Sequence, residues 1–275
     1  MKTRLRSLLT LVIVLQGATA LQASSSHDDA SQVAYADGWD DGDNGGIGFG
    51  PWTLSFDGDP NALNPIYNSD PHFIDGVGVG PLGANLLGAP AFGLTTDNSV
   101  SATAQASREF SESLKVGQVF SVDIDGSALE GNSRIGNLFE LVGDDGIARY
   151  TLRTSLGSAD DNWTINGSST PIDASDALRV SVRLISPDTF SGSVTSLTQP
   201  VGNFSIGSPL VGTAGAAITS LRFSTFGTGS SADGARELLF DNIELTRADI
   251  IPEPSTWLLA AGFVILTSSH RSRQH

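Results

Sequence analysis

The most constraining feature is a two-residue alternation of apolar and polar side chains. Leu178-Arg-Val-Ser-Val-Arg-Leu184 sets Leu178, Val180, Val182 and Leu184 on one side of an extended chain, with Arg179, Ser181 and Arg183 on the other. Val119-Phe-Ser-Val-Asp-Ile-Asp125 does the same, with Phe120, Val122 and Ile124 opposite Val119, Ser121, Asp123 and Asp125. Such periods describe half-buried strands, and no stretch of the body sustains the 3.6-residue period of an amphipathic helix. Ile218–Phe226, Glu237–Leu245, Asn137–Val142, Arg149–Leu156 and Thr189–Leu197 are further predicted strands. Turn chemistry separates them at Asp125-Gly126, Gly143-Asp-Asp-Gly146, Asn166-Gly167 and Ser186-Pro187. Many short strands at this spacing predict an all-β body, a jelly-roll-like β-sandwich over residues 35–248. Residues 61–90, rich in Pro and Gly, are expected to be a long surface excursion.

The two ends have a different character. Lys2, Arg4 and Arg6 precede an apolar run from Leu8 to Leu15, and Ala18-Thr19-Ala20 supplies small residues before a scissile bond. This is the pattern of a secretory signal peptide over residues 1–20, with Ala23 as the alternative cleavage position. It implies passage through the Sec machinery and cutting by signal peptidase, followed by a disordered leader over residues 21–34. At the other end, residues 249–275, Pro252 and Pro254 fix extended geometry around Glu253. The apolar run that follows includes Trp257, Leu258, Leu259, Phe263, Val264, Ile265 and Leu266, and Arg271 and Arg273 close the chain. The run is about a dozen residues long against the roughly 20 of a full span, lengthened to a marginal transmembrane helix by flanking Ser and Thr. The arginines would stay cytoplasmic and Trp257 would sit at the opposite interface. A short buried helix closing the domain is the alternative.

The tripartite order of Pro252-Glu253-Pro254-Ser-Thr-Trp257, apolar segment and arginine tip resembles the PEP-CTERM sorting signal of exported bacterial proteins. The resemblance implies an exosortase-type membrane protease of a Gram-negative cell as partner. It also implies an inner-membrane-anchored precursor whose body ends at the cell surface or in the extracellular matrix. The Gly-rich start, the two clear strands and the closing Leu239-Phe-Asp-Asn-Ile-Glu-Leu245 look like bodies that precede this tail. More loosely, they resemble concanavalin-like and carbohydrate-binding jelly rolls.

Charge and composition narrow the chemistry. The chain carries 15 Lys+Arg and 30 Asp+Glu. Setting aside the five cations of the two ends and Glu253 leaves 10 against 29, a body net charge near −19. Such a surface repels nucleic acid and anionic lipid and suits a polymer-facing or cation-collecting body. With no Cys, disulfides, thiol nucleophiles and thiolate metal sites are excluded.

Three constellations bear on function. Asp37, Asp40 and Asp43 in a Gly-rich loop, with Asp241 of the last strand, have the oxygen ligands that calcium prefers. Their spacing is not that of an EF-hand, and a solvated acidic loop is the plain alternative. Trp163, after Asp160-Asp-Asn162, and Trp39 offer flat faces for stacking on a sugar, though large aromatics more often fill cores, as Trp52 is expected to. Gly45, Gly46, Gly48 and Gly50 indicate tight turns or a backbone lying against another surface. Catalysis has the thinnest basis. Asp123 and Asp125 share a strand face, but the Glu-x-Asp-x-x-Glu order of jelly-roll glucanases is missing and Glu140 stands alone. His27 and His72 are far from any Gly-x-Ser-x-Gly elbow. Asn162, Asn166 and Asn203 head Asn-x-Ser/Thr triplets that chance explains in so Ser/Thr-rich a chain. The sequence therefore predicts a non-enzymatic structural or adhesive protein of an exopolysaccharide layer, with a glycan-specific carbohydrate-binding module as the alternative.

Overall fold

The computed structural model describes residues 25–58, 71–75, 85–88, 90–97, 101–126, 136–154, 162–174, 176–198, 204–228 and 235–247. The signal peptide, the sorting motif, the apolar tail and its basic tip lie outside them. Among the described residues no helix is long and apolar enough to cross a membrane.

Among the described residues every strand pairing is antiparallel, in two sheets. The first runs, edge to edge, β13 (Phe204–Pro209), β12 (Thr189–Ser196), β11 (Leu178–Ser186), β6 (Gln118–Asp125), β15 (Ala235–Arg247), β4 (Ala91–Asp97) and β3 (His72–Asp75). The short β1 (Ser26–Asp28) also pairs with β15. The second runs β10 (Ser168–Asp173), β9 (Asn162–Ile165), β8 (Ala148–Thr154), β7 (Gly136–Gly143), β14 (Ile218–Thr228), β5 (Ser101–Phe110) and β2 (Phe49–Asp57).

Alternation dictates the core between the sheets. Phe120, Val122, Ile124, Leu178, Val180 and Val182 of the first sheet are buried, as are Phe139, Leu141, Leu221 and Phe223 of the second. Phe223 and Phe240 join the central strands of the two layers, their rings stacked 3.7 Å apart at an interplanar angle of 6°. Three of the expected turns, Gly143–Gly146, Asn166-Gly167 and Ser186-Pro187, close hairpins as their residues require. Asn166 and Gly167 take φ 46° and 82° between β9 and β10, the left-handed pair of a type I′ turn. Pro187-Asp188 joins β11 to β12.

Two expectations need correcting. Residues 25–34 of the supposed disordered leader belong to the sandwich: Ser26, His27 and Asp28 pair with Leu245, Glu244 and Ile243. Within residues 61–90, expected to be surface excursion, His72–Asp75 forms edge strand β3, with His72 and Asp75 both buried. In each case the segment is short and buries polar side chains, so its place depends on the partner strands, β15 for β1 and β4 for β3.

Candidate functional site

The most heavily constrained group of charges is a knot at the N-terminal corner. Strand β5 reads Ser-Ala-Thr-Ala-Gln-Ala-Ser-Arg-Glu-Phe, and period two turns Ala102, Ala104, Ala106, Arg108 and Phe110 inward together. Arg108 is thus delivered to the interior, where an unpaired guanidinium would be prohibitive. The N-terminal segment supplies its partners. Nη1 donates to Asp28 Oδ2, Nη2 donates to Asn44 Oδ1 at 2.7 Å and to the Gly45 carbonyl, and Nε donates to the Gly50 carbonyl at the β2 bulge. Phe49 and Trp52 flank the guanidinium at 5.1 and 5.2 Å. Tyr35 donates to Asp28 Oδ2 at 2.8 Å and accepts from Trp52 Nε1 at 3.2 Å. Burial raises the Asp28 carboxyl, while Arg108 and Tyr35 pull it back down.

This knot explains the glycines. At Gly46, φ is +75° and a Cβ would lie 2.4 Å from the His27 carbonyl oxygen; at Gly48, φ is +87° and a Cβ would strike Ser26. The loop is glycine-rich because it lies directly on β1. The knot was not foreseen. The one signal that pointed to it was the Ala-x-Ala-x-Ala-x-Arg alternation of β5.

The expected calcium set is not assembled. Asp37 and Asp40 are exposed, Asp43 Oδ2 accepts the Asp40 amide at 2.8 Å, and Asp241 is buried elsewhere, on the outer side of the first sheet. Among the described residues no three His, Cys, Asp or Glu side chains converge in a metal-holding arrangement. The acids between the glycines instead fasten local backbone, as Asp41 does by accepting the Leu54 amide.

Both tryptophans proposed as sugar platforms are core residues. Trp163 lies on β9 rather than in a loop and has no exposed surface; Trp39 is 3% exposed. Trp39 packs edge-on against Trp52, with centroids 5.2 Å apart, and against Phe92 and Phe240. An indole buries more apolar area than almost any other side chain, and the sandwich interior claims it.

The outer side of the first sheet carries a polar network. Asp123 accepts both Arg179 Nε at 2.7 Å and Nη2 at 2.9 Å, and the Asn242 side-chain amide at 2.9 Å. Asn242, at φ 51°, sits in a bulge of β15 that turns its amide towards Asp123. Beside it, Asp241 accepts the Ala30 amide at 2.9 Å. Burial, and then the Asp29 and Asp123 charges, push its carboxyl up to about 6 against the backbone bonds from Ala30 and Asn242. Along β6, β11, β12 and β13 the same side forms a shallow depression of about 190 Å³, lined by Val119, Ser181, Arg183, Ser191, Ser193 and Ser205.

Asp123 is engaged by Arg179, Asp125 Oδ2 accepts the Leu86 amide at 2.9 Å, and Glu140 pairs with Arg222 at 2.6 Å. His27 bonds Asp29 at 2.8 Å, and His72 meets the Gln105 carbonyl at 3.1 Å.

No protein-family model matches the chain, and no curated protein matches it in sequence. Solved structures similar to it include the catalytic domain of a glycoside hydrolase family 131 protein from Coprinopsis cinerea. That structure shows 12% identity and TM-score 0.40, over 74% of this chain and 85% of that one. Peanut lectin shows 11% identity and TM-score 0.42, over 82% and 98%. The CBM2 module of an evolved Dit protein of Lactobacillus casei BL23 phage J-1 shows 14% identity and TM-score 0.45, over 82% and 98%. At these values no chemistry of this chain rests on the likeness.

Proposed function

We propose that this chain is an exported, non-enzymatic protein of the surface or extracellular matrix of a Gram-negative bacterium. Its jelly-roll-like body is sorted through Pro252-Glu253-Pro254, the apolar run and the Arg271/Arg273 tip, and contributes to an exopolysaccharide layer. One observation carries the reading: the two ends of the body leave the sandwich side by side. Ser26 pairs with Leu245, and Arg247 pairs with Gln118 on the neighbouring strand. A secretory leader and a membrane tail attached there leave the opposite end and the outer sheet face turned towards the exterior.

Expression of the full chain in a host with an exosortase-type protease tests this. The body is expected in the matrix fraction without its last residues, and a Pro252→Ala/Pro254→Ala variant is expected to stay in the membrane. Equal release of both would sink the sorting reading.

A second reading, a module for one specific glycan, is favoured by the depression between β6 and β13. Seryl hydroxyls and one guanidinium match the hydroxyl and carboxylate groups of an acidic polysaccharide. Saturable binding to a single polysaccharide, weakened in Arg183→Ala without release of reducing ends, would establish it. Turnover of any polysaccharide would displace both readings in favour of an enzyme.

A further inference from the structure

The end of the sandwich from which the chain departs carries an apolar groove. Residues 111–117 cross from β5 in the second sheet to β6 in the first. Their backbone is tied to both layers, Leu114 donating to the Ile218 carbonyl at 2.8 Å and Gly117 to the Leu184 carbonyl at 2.7 Å. Between this crossing, the β11–β12 hairpin and the start of β14 lies a groove of about 240 Å³. Leu114, Val116, Leu184, Pro187, Ala216 and Ala217 line it, with Lys115 at its rim. Val116 is 56% exposed, and Ile185 beside it 49%. Leaving such surface to water costs roughly 25 cal/mol for each Å² of apolar area.

The chain itself offers a cover. β15 ends at Arg247, paired with Gln118 and so two residues from Val116. The residues that follow are Ala248-Asp249-Ile250-Ile251-Pro252. Three or four residues of chain span at most about 10–14 Å, and the groove residue Val116 is two positions from Gln118, the partner of Arg247. Asp249 would pass Lys115, which otherwise donates to Ser113 Oγ at 3.0 Å.

We propose that Ile250 and Ile251 dock in this groove as a strap. The strap ends at the fixed extended geometry of Pro252 and holds the Pro-Glu-Pro segment at a set distance from the body. Docking is a property of the folded chain and stands whether or not the tail is later processed.

The absence of cysteine makes trapping clean. The full chain in mild detergent, carrying Ala217→Cys and Ile251→Cys, is oxidised gently and the linked peptides are identified by mass spectrometry. Ala217→Cys with Ser269→Cys is the distant control. The strap predicts intrachain linkage at least about tenfold faster for the first pair, a 1.4 kcal/mol preference. It also predicts a several-fold slowing when Ile250→Asp is added, with the melting temperature confirming a folded body in each variant. Linkage between two chains would show a second copy in the groove and overturn the proposal. Equal rates for the two pairs would overturn it too, as would a first pair that Ile250→Asp leaves unchanged.

Discussion

Two aspartate–arginine pairs hold parts of this molecule together, and they differ mainly in their surroundings. Asp28 and Arg108 have fully buried side chains; in the pair of Asp123 and Arg179, the arginine side chain is 44% exposed and the aspartate 7%. The first joins segments 80 residues apart and is enclosed by Tyr35, Trp52 and Phe49. The second links adjacent strands on a face open to water. The energies of such pairs depend on desolvation as much as on attraction. A buried pair that loses one partner leaves a stranded charge; where the arginine is half exposed, its removal opens the carboxylate to water, and Asp123 also keeps its bond from Asn242. The buried pair therefore fixes where the N-terminal segment sits, while the half-exposed pair ties two neighbouring strands on a face open to water.

The sharpest way to break this contrast is Arg108→Ala. It strands the Asp28 carboxylate and empties the space between Phe49 and Trp52, so a loss of about 3–5 kcal/mol is expected in denaturant unfolding. Asp241 lies between the two extremes, on the outer face but roofed by Ala30. Its carboxyl, raised to about 6, favours folding while protonated. That contribution is complete below the ordinary aspartate value of about 4 and is lost as pH rises through about 6. Asp241→Asn should accordingly gain up to about 3 kcal/mol over the wild type near pH 7.5 and nothing near pH 4, read as the difference between two stability–pH curves. Gly46→Ala forces a Cβ against the His27 carbonyl at positive φ and should cost about 2 kcal/mol by loosening the loop from β1. Arg179→Ala should cost less than about 1 kcal/mol in the same assay.

The strands were legible wherever branched or aromatic residues alternated with polar ones. Gln118–Asp125, Leu178–Ser186 and Ile218–Thr228 begin within a residue of expectation and extend at most two beyond it. β5 was not, because its inward row is alanine and its one large inward residue is an arginine. Local pattern says nothing of the distant carboxylate that makes such burial tolerable. β1 and β3 were hidden for a similar reason: His27, Asp28, His72 and Asp75 look solvated until their partners are known. Trp163 was misread from the polar Asp160-Asp-Asn162 before it, although Trp163-Thr-Ile165 already alternates. The acidic loop looked like a cation site because ligand chemistry is visible in sequence, while convergence of those ligands depends on turns that point Asp37 and Asp40 outward.

A pair of double-mutant cycles compares the two ion pairs most directly: Asp28→Asn with Arg108→Met, and Asp123→Asn with Arg179→Met, each followed by denaturant unfolding at neutral pH. A coupling of about 3 kcal/mol or more is expected for the buried pair and below about 1 kcal/mol for the exposed one. Equal couplings, or a larger one between Asp123 and Arg179, would contradict the account, because the N-terminal segment would then owe its place to something other than the Arg108 knot.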